Sequence, residues 1–150
     1  MKKVIVLTIC ICMALTIVGC NGKTVTKDGT IDIDLTSLSS TMVYSKVYDM
    51  VNEPEKDMGK TVKMEGKCTK YVDEDTKKVY YTCLIQDATQ CCAQGIEFEL
   101  KDKKYPSERE DIVVVGKLDA YREDGTTYCV LRNAKLVKDK SNNETTRDLG

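Results

Sequence analysis

The sequence predicts a mainly β domain, a small five-stranded barrel preceded by one helix. Five runs of alternating apolar and polar residues follow Gly59, which is typical of strands with one buried face. Before them, apolar residues recur with the spacing of one amphipathic helix. Short antiparallel strands must hide their edges, so we expect a closed or nearly closed barrel, with a β-sandwich as the alternative.

The predicted helix follows a short alternating segment at residues 31–35. Ser39 or Ser40 is a suitable N-cap. Pro54 ends the helix, because the residue before a proline is disfavoured in the helical conformation. The apolar face has the spacing i, i+3, i+4 and i+7, and it is predicted to contain Tyr44, Val47, Tyr48 and Val51.

Turn signals divide the chain after Gly59 into five strands. A charged turn at 73–78 separates the first two, and residues 88–95 are expected to form a loop before the third. A polar connection at 101–110 follows, since Pro106 cannot donate to a β-ladder. The strands are predicted at residues 61–72, 79–86, 96–100, 112–121 and 127–137.

The order of these strands suits an OB-fold, a five-stranded Greek-key barrel. The helix between its third and fourth strands would here be reduced to a connection. Gly66 and Gly116 are expected where barrel strands bend sharply. Asp124-Gly125 between the last two alternating runs indicates a tight hairpin. The barrel domain is predicted at residues 31–138.

The N-terminal segment predicts where the protein works. Lys2 and Lys3 precede an uncharged apolar run, which is typical of a secretory signal and short for a spanning helix. The run ends in Ile-Val-Gly-Cys and resembles a bacterial lipoprotein signal. This implies that Cys20 receives a diacylglyceryl group and becomes the new N-terminus. An ordinary secretory signal or an uncleaved anchor are the alternatives.

This interpretation places the protein on the extracytoplasmic face of the cell membrane, held there by its lipid. The signal is assigned to residues 1–19, and the lipidated cysteine with its tether to residues 20–30. The polar C-terminal tail at 139–150 is expected to be disordered.

The composition excludes several functions. The chain has 23 basic and 24 acidic residues, and no run of basic residues suggests a nucleic-acid partner. Histidine is absent, which rules out Ser-His-Asp and Cys-His catalysis and removes the commonest zinc ligand. We therefore expect a binding module rather than an enzyme, with a small ligand, a metal ion or a membrane protein as its partner.

The adjacent pair Cys91-Cys92 is the unusual chemical element. On a loop, both thiolates could hold a soft metal such as Zn²⁺ or Cu⁺, with Cys83 or Cys68 completing the set of ligands. Alternatively, the pair could form a strained disulfide that is reducible and redox-responsive. A third interpretation is purely structural, since extracytoplasmic cysteines usually pair or pack.

Strand register relates the other cysteines. A four-residue turn at 74–77 would place Cys68 opposite Cys83, with their Cβ atoms about 4.5–5.5 Å apart. That separation permits a disulfide or two ligands of one site. Cys129 would face Ala120 in the last hairpin, where it is expected to be a small buried residue.

Four tyrosines form the candidate ligand face. Aromatic rings on strands provide stacking surfaces in many OB-folds. The last hairpin would place two of these rings opposite each other, an arrangement that also stabilises hairpins. The candidate residues are Tyr80, Tyr81, Tyr121 and Tyr128.

Two segments resemble a known family. Residues 55–62 (EKDMGKTV) with 64–66 (MEG) resemble the opening of OB-like domains in small lipoproteins of clostridial-type bacteria. Residues 83–98 (CLIQDATQCCAQGIEF) resemble the cysteine-pair segment of the same group. The Cys-Cys stretch is also similar to an extracytoplasmic domain of a permease-associated membrane protein family of unknown function. The lipoprotein resemblance covers residues 31–138 and implies an OB-like fold and a membrane location, with no established activity.

Overall fold

The computed structural model describes residues 24–26 and 29–137. Strands β1 (Thr24–Thr26) and β2 (Gly29–Ile31) pair antiparallel at the start of this region. Part of the predicted tether is therefore a strand pair, in keeping with the β-branched residues there. The predicted signal at 1–19, the lipidation residue Cys20 and the tail at 139–150 lie outside the described residues.

One helix, α1 (Ser40–Asn52), packs against the strands. Strand β3 (Ile33–Asp34) and a 3-10 turn (Leu35–Ser37) lead into it, and a second 3-10 turn (Pro54–Lys56) follows it. Ser39 occupies the N-cap position as predicted, although its side chain makes no capping hydrogen bond. Within the described part of the chain, no helix combines the length and the apolar character needed to cross a membrane.

The predicted apolar face of α1 is partly wrong. Val47 and Met50 are fully buried, whereas Tyr48 is 50% exposed. Neighbouring helix positions are about 100° apart, so a face centred on Val47 turns the next residue away from the core. Met50, one turn further along, occupies the core side instead. Tyr44 and Val51 are half-buried at the edges of this face.

Five longer strands provide most of the structure. The six-stranded sheet has the order β3-β4-β5-β6-β8-β7, and β4 also pairs with β7. The β3–β4 and β6–β8 pairings are parallel, and the other pairings in this sheet are antiparallel. The five strands are β4 (Thr61–Val72), β5 (Val79–Gln86), β6 (Ala93–Leu100), β7 (Asp111–Glu123) and β8 (Thr126–Leu136).

The loop between β5 and β6 is shorter than predicted. Strand β6 begins at Ala93 rather than Ile96, because its first residues pair with the end of β5. Gln94, for example, lies opposite Ile85. Strand pairing forms through backbone N–H and carbonyl groups. The polar side chains that suggest a loop here therefore do not prevent β6 from pairing with β5.

Both predicted hairpin registers are confirmed. Cys68 lies opposite Cys83 in the β4–β5 hairpin, and the Asp73 N–H donates to the Lys78 carbonyl oxygen at 2.9 Å. In the β7–β8 hairpin, Tyr121 lies opposite Tyr128.

Two glycines mark changes of strand pairing. Strand β4 pairs with β7 through Thr61 to Lys67 and with β5 from Lys67 onward, so Gly66 lies at the change of partner. Gly116 lies where the register of β7 against β8 shifts. Both positions agree with the sharp bends expected there.

The core lies between α1 and the buried face of the strands. Cys129 belongs to it, as predicted, and its thiol donates to the Met50 carbonyl oxygen at 3.2 Å. This contact joins β8 to the helix. The largest fully buried side chains include Leu35, Met50, Met64, Ile96, Phe98, Leu100, Leu118 and Leu131.

Candidate metal site

The loop between β5 and β6 folds back on Asp87. The Asp87 N–H donates to the Cys92 carbonyl oxygen, and the Gln90 N–H donates to the Asp87 carbonyl oxygen, each at 3.0 Å. Gln90 is in the left-handed region with φ of 59°, which tightens the turn. The Cys92 N–H then donates to Asp87 Oδ1 at 3.2 Å. These bonds place Cys91 and Cys92 beside the Asp87 side chain.

Three possible metal ligands converge in this loop. An Asp87 carboxylate oxygen and the sulfurs of Cys91 and Cys92 all lie within 4.8 Å of one another. The two sulfurs are 3.5 Å apart, and Cys91 Sγ is also 3.5 Å from Asp87 Oδ2. Both cysteines are exposed, so solvent reaches the site. The prediction that the two thiols can reach one ligand agrees with this geometry.

The separations match the edges of a tetrahedral zinc site. With Zn–S bonds of about 2.3 Å, two sulfurs around one ion lie about 3.8 Å apart. A sulfur and an oxygen bonded at about 2.1 Å lie about 3.6 Å apart by the same geometry. The two 3.5 Å separations at Cys91 fall close to both values. Small side-chain movements would therefore admit an ion.

The electrostatics of the loop favour a cation. The Thr89 hydroxyl donates to Asp87 Oδ2 at 2.7 Å, and this bond, followed by the Cys92 N–H, lowers the pKa of Asp87. The carboxylate is thus ionised at neutral pH. The pKa of Cys92 is raised, first by its hydrogen bond with the Cys91 thiol and then by the charge of that neighbour. Two adjacent thiolates need a positive partner, which a metal ion supplies.

The other predicted ligands lie elsewhere in the fold. Cys68 and Cys83 are both fully buried and face each other across β4 and β5 as free thiols. The structure does not bring them into the group of ligand atoms around Cys91 and Cys92. Asp87 is the third member instead, and sequence reasoning missed it. An aspartate followed two residues later by threonine is a turn signal that could have indicated it.

The two environments predict different thiol reactivities. Burial raises the pKa of Cys83 to about 12 and that of Cys129 to about 11, and it also raises the pKa of Cys68. Native protein treated with a chelator at pH 8 should therefore be alkylated at the exposed Cys91 and Cys92 well before the three buried thiols, because burial both blocks the reagent and disfavours the reactive thiolate. Mass spectrometry after iodoacetamide treatment, with denatured protein as control, measures this. If Cys83 were alkylated as fast as Cys91, the placement of Cys83 in the core would be contradicted.

Three of the four tyrosines lie together in a polar network. The Tyr80 hydroxyl donates to Glu123 Oε2 at 2.7 Å, and the Tyr121 hydroxyl donates to Glu97 Oε2 at 2.8 Å. The Tyr121 and Tyr128 rings stack with centroids 5.5 Å apart. Burial, then the bond to Glu97, raises the pKa of Tyr121. The Tyr80 and Tyr121 hydroxyls are thus already used within the protein.

Tyr81 is partly buried and packs against the core beside this network. Neighbouring residues on a strand point to opposite sides, so Tyr81 turns toward the core while Tyr80 turns away from it. Its ring stacks on Tyr105 with centroids 3.8 Å apart and packs against Phe98. The depression beside these rings holds only about 100 Å³, below the 300–1,000 Å³ typical of ligand sites. Tyr80, Tyr81 and Tyr121 line this depression and Tyr128 does not, and the ligand face formed by the four tyrosines stays a prediction.

A larger groove lies between the start of α1 and the outer side of β4 and β5. It has a volume of about 610 Å³, within the range of small-molecule sites. Leu38, Val43 and Leu84 contribute apolar walls, and Arg109 lies at the rim. None of the four tyrosines lines this groove.

The comparisons with known proteins found no match. No family model, no curated protein and no solved structure matches the chain.

Proposed function

We propose that this protein is a lipid-anchored extracytoplasmic module that binds a soft divalent cation, zinc in the first place, at Asp87, Cys91 and Cys92. One observation carries the proposal: the carboxylate and the two sulfurs lie within 4.8 Å of one another on an exposed loop. Three protein ligands leave one of the four tetrahedral positions of zinc for water or for a group from a partner. The role is binding rather than catalysis, since a chain without histidine lacks the usual acid-base group.

The same geometry disfavours a disulfide between the two loop cysteines. Neighbouring Cα atoms are about 3.8 Å apart across a trans peptide, whereas disulfides usually join Cα atoms about 4.4–6.8 Å apart. A bond between Cys91 and Cys92 would therefore be strained. The raised pKa of Cys92 also opposes the reactive thiolate that thiol-disulfide exchange requires. Thiol-redox chemistry is therefore the second candidate function.

The donor set favours zinc over copper(I). Copper(I) prefers soft sulfur ligands alone, whereas zinc accepts a carboxylate oxygen beside thiolates. Asp87 supplies that oxygen and is held by hydrogen bonds from Thr89 and the Cys92 N–H. Because the site is exposed, water or a group from a partner would complete the four ligands.

The proposed scaffold is an OB-like barrel of β4 to β8. The pairings β4–β5, β5–β6, β6–β8, β8–β7 and β7–β4 support it, because they give each long strand two neighbours. A barrel needs this arrangement to remove its edges. The resemblance to small clostridial-type lipoproteins supports the same fold and, with the Ile-Val-Gly-Cys ending at Cys20, the membrane anchor.

Native mass spectrometry tests the metal site. Protein purified without chelator or reductant should carry one additional zinc mass, and a chelator or denaturation should remove it. The Asp87→Asn variant should bind zinc at least about tenfold more weakly, since it loses the anionic oxygen ligand. A competition titration with a zinc indicator measures that difference.

The β4–β5 hairpin offers a matched control. Asp73 also closes a hairpin turn, accepting hydrogen bonds from the Thr76 N–H at 2.6 Å and the Thr76 hydroxyl at 2.7 Å. Asp73→Asn should therefore disturb a turn to a similar extent and leave zinc affinity unchanged. Equal losses of zinc affinity in Asp87→Asn and Asp73→Asn would contradict the assignment of Asp87 as a ligand. A mass two hydrogens lower at Cys91-Cys92, without metal, would support the redox alternative.

A further inference from the structure

A basic groove lies beside strand β2, where the described part of the chain begins. It has a volume of about 470 Å³ and begins beside Thr30 and Ile31. None of the described residues that line it is acidic, although the whole chain has a net charge of −1. Its basic side chains are Lys101, Lys117, Arg132 and Lys135.

Strand pairing gathers these cations. Lys117 on β7 lies opposite Arg132 on β8, and Lys101, just after β6, donates its backbone N–H to the Ala134 carbonyl oxygen at 3.0 Å. Arg132 already bonds to Glu99 and Asp119. Lys101 and Lys117 are exposed, and neither forms a salt bridge with any residue of the described chain. Two cationic side chains are thus left to meet an external anion.

Exposed apolar side chains adjoin the groove. Leu136 is 40% exposed and lines a neighbouring depression together with Lys101, Asp102 and Lys135. Val137 follows with 37% exposure. Basic side chains beside apolar ones are the combination that interfacial segments present to a membrane.

The position of the groove agrees with this partner. Thr30 lies ten residues after Cys20, so even a fully extended chain would keep the lipidated residue within about 35 Å of the groove. The β1–β2 pairing shortens that distance. The anchor therefore keeps this face close to the membrane surface, and this placement rests on the proposed lipidation.

We propose that the groove formed by Lys101, Lys117, Arg132 and Lys135 docks on anionic lipid headgroups and orients the domain on the membrane. Each lysine near an anionic surface contributes about fivefold in binding, and salt screens the attraction. Docking by this face fixes which parts of the protein point outward. The sequence did not indicate the groove, because its basic residues come from three separate segments.

Lysine acylation on vesicles tests the proposal. The mature protein is placed on vesicles of phosphatidylcholine alone or with phosphatidylglycerol, treated with an amine-acylating reagent and analysed by mass spectrometry. Lys101 and Lys117 should react at least about fivefold more slowly on the anionic vesicles and recover at 1 M salt. Lys70, which is exposed at the opposite end of β4, is the internal control and should react equally on both.

The Lys117→Glu variant provides the second arm. It should reduce the protection of Lys101 on anionic vesicles without changing the reactivity of Lys70. Equal acylation of Lys101 and Lys117 on both vesicles would overturn the proposal, as would equal protection by inorganic phosphate or by a single-stranded oligonucleotide.

The lipid anchor is checked separately by the mass of the N-terminal peptide. If Cys20 carries no lipid, the same comparison with protein added to preformed vesicles still decides the role of the groove.

Discussion

Replacing Cys91 and Cys92 together by serine is expected to reduce zinc affinity by more than about a hundredfold. Both sulfurs belong to the three-ligand group, and even partners that only orient ligands are worth about 10–100-fold in affinity. The two side chains are exposed, so the free energy of unfolding of the metal-free protein should change by no more than about 0.5 kcal/mol. Zinc competition titration and chemical denaturation measure the two quantities.

Cys129→Ala is the control for this experiment. It removes a buried thiol that bonds to Met50 and does not belong to the Asp87, Cys91 and Cys92 group. Zinc affinity should therefore stay at the wild-type value. Undiminished zinc binding by the double serine variant would show that the ion is held elsewhere.

Gly66→Ala is expected to lower the free energy of unfolding by about 3 kcal/mol. A Cβ at this position would lie 2.4 Å from the Leu84 carbonyl oxygen and 3.0 Å from Cys83 Sγ. The first contact is with backbone, so β4 and β5 would have to separate where β4 changes partner. The melting temperature should fall by about 10–15 °C, as measured by circular dichroism.

Gly125→Ala provides a matched comparison. Its φ of 81° strains an alanine, but nothing lies within 4 Å of the added Cβ. The expected loss is about 1 kcal/mol, from backbone strain alone. If Gly66→Ala were no more destabilising than Gly125→Ala, the close approach of β4 and β5 at Gly66 would be contradicted.

Much of the strand arrangement could be predicted because turn length sets hairpin register. The charged turn after Val72 and the Asp124-Gly125 turn each determine which residues face each other. The helix face was less predictable. Tyr48 has the spacing of the apolar face, but a tyrosine can expose its ring edge and hydroxyl, and Met50 occupies the buried position instead.

The proposed third metal ligand could not be read from residue spacing alone. Asp87 lies four residues before Cys91 in a polar segment, and only the folded turn brings its carboxylate to the sulfurs. The supposed ligands Cys68 and Cys83 alternate with less buried residues on β-strands, which places them in the core. Backbone conformation in the loop, including the left-handed Gln90, decides the ligand set.

X-ray absorption at the zinc edge of the zinc-loaded protein identifies the atoms that bind the ion. We expect two sulfur neighbours at about 2.3 Å and one or two oxygen neighbours at about 2.0–2.2 Å, from Cys91, Cys92, Asp87 and water. Four sulfur neighbours would mean that the buried cysteines are recruited. A shell of oxygen alone would mean that the Cys91-Cys92 loop does not hold the ion, and either result would contradict the proposed site.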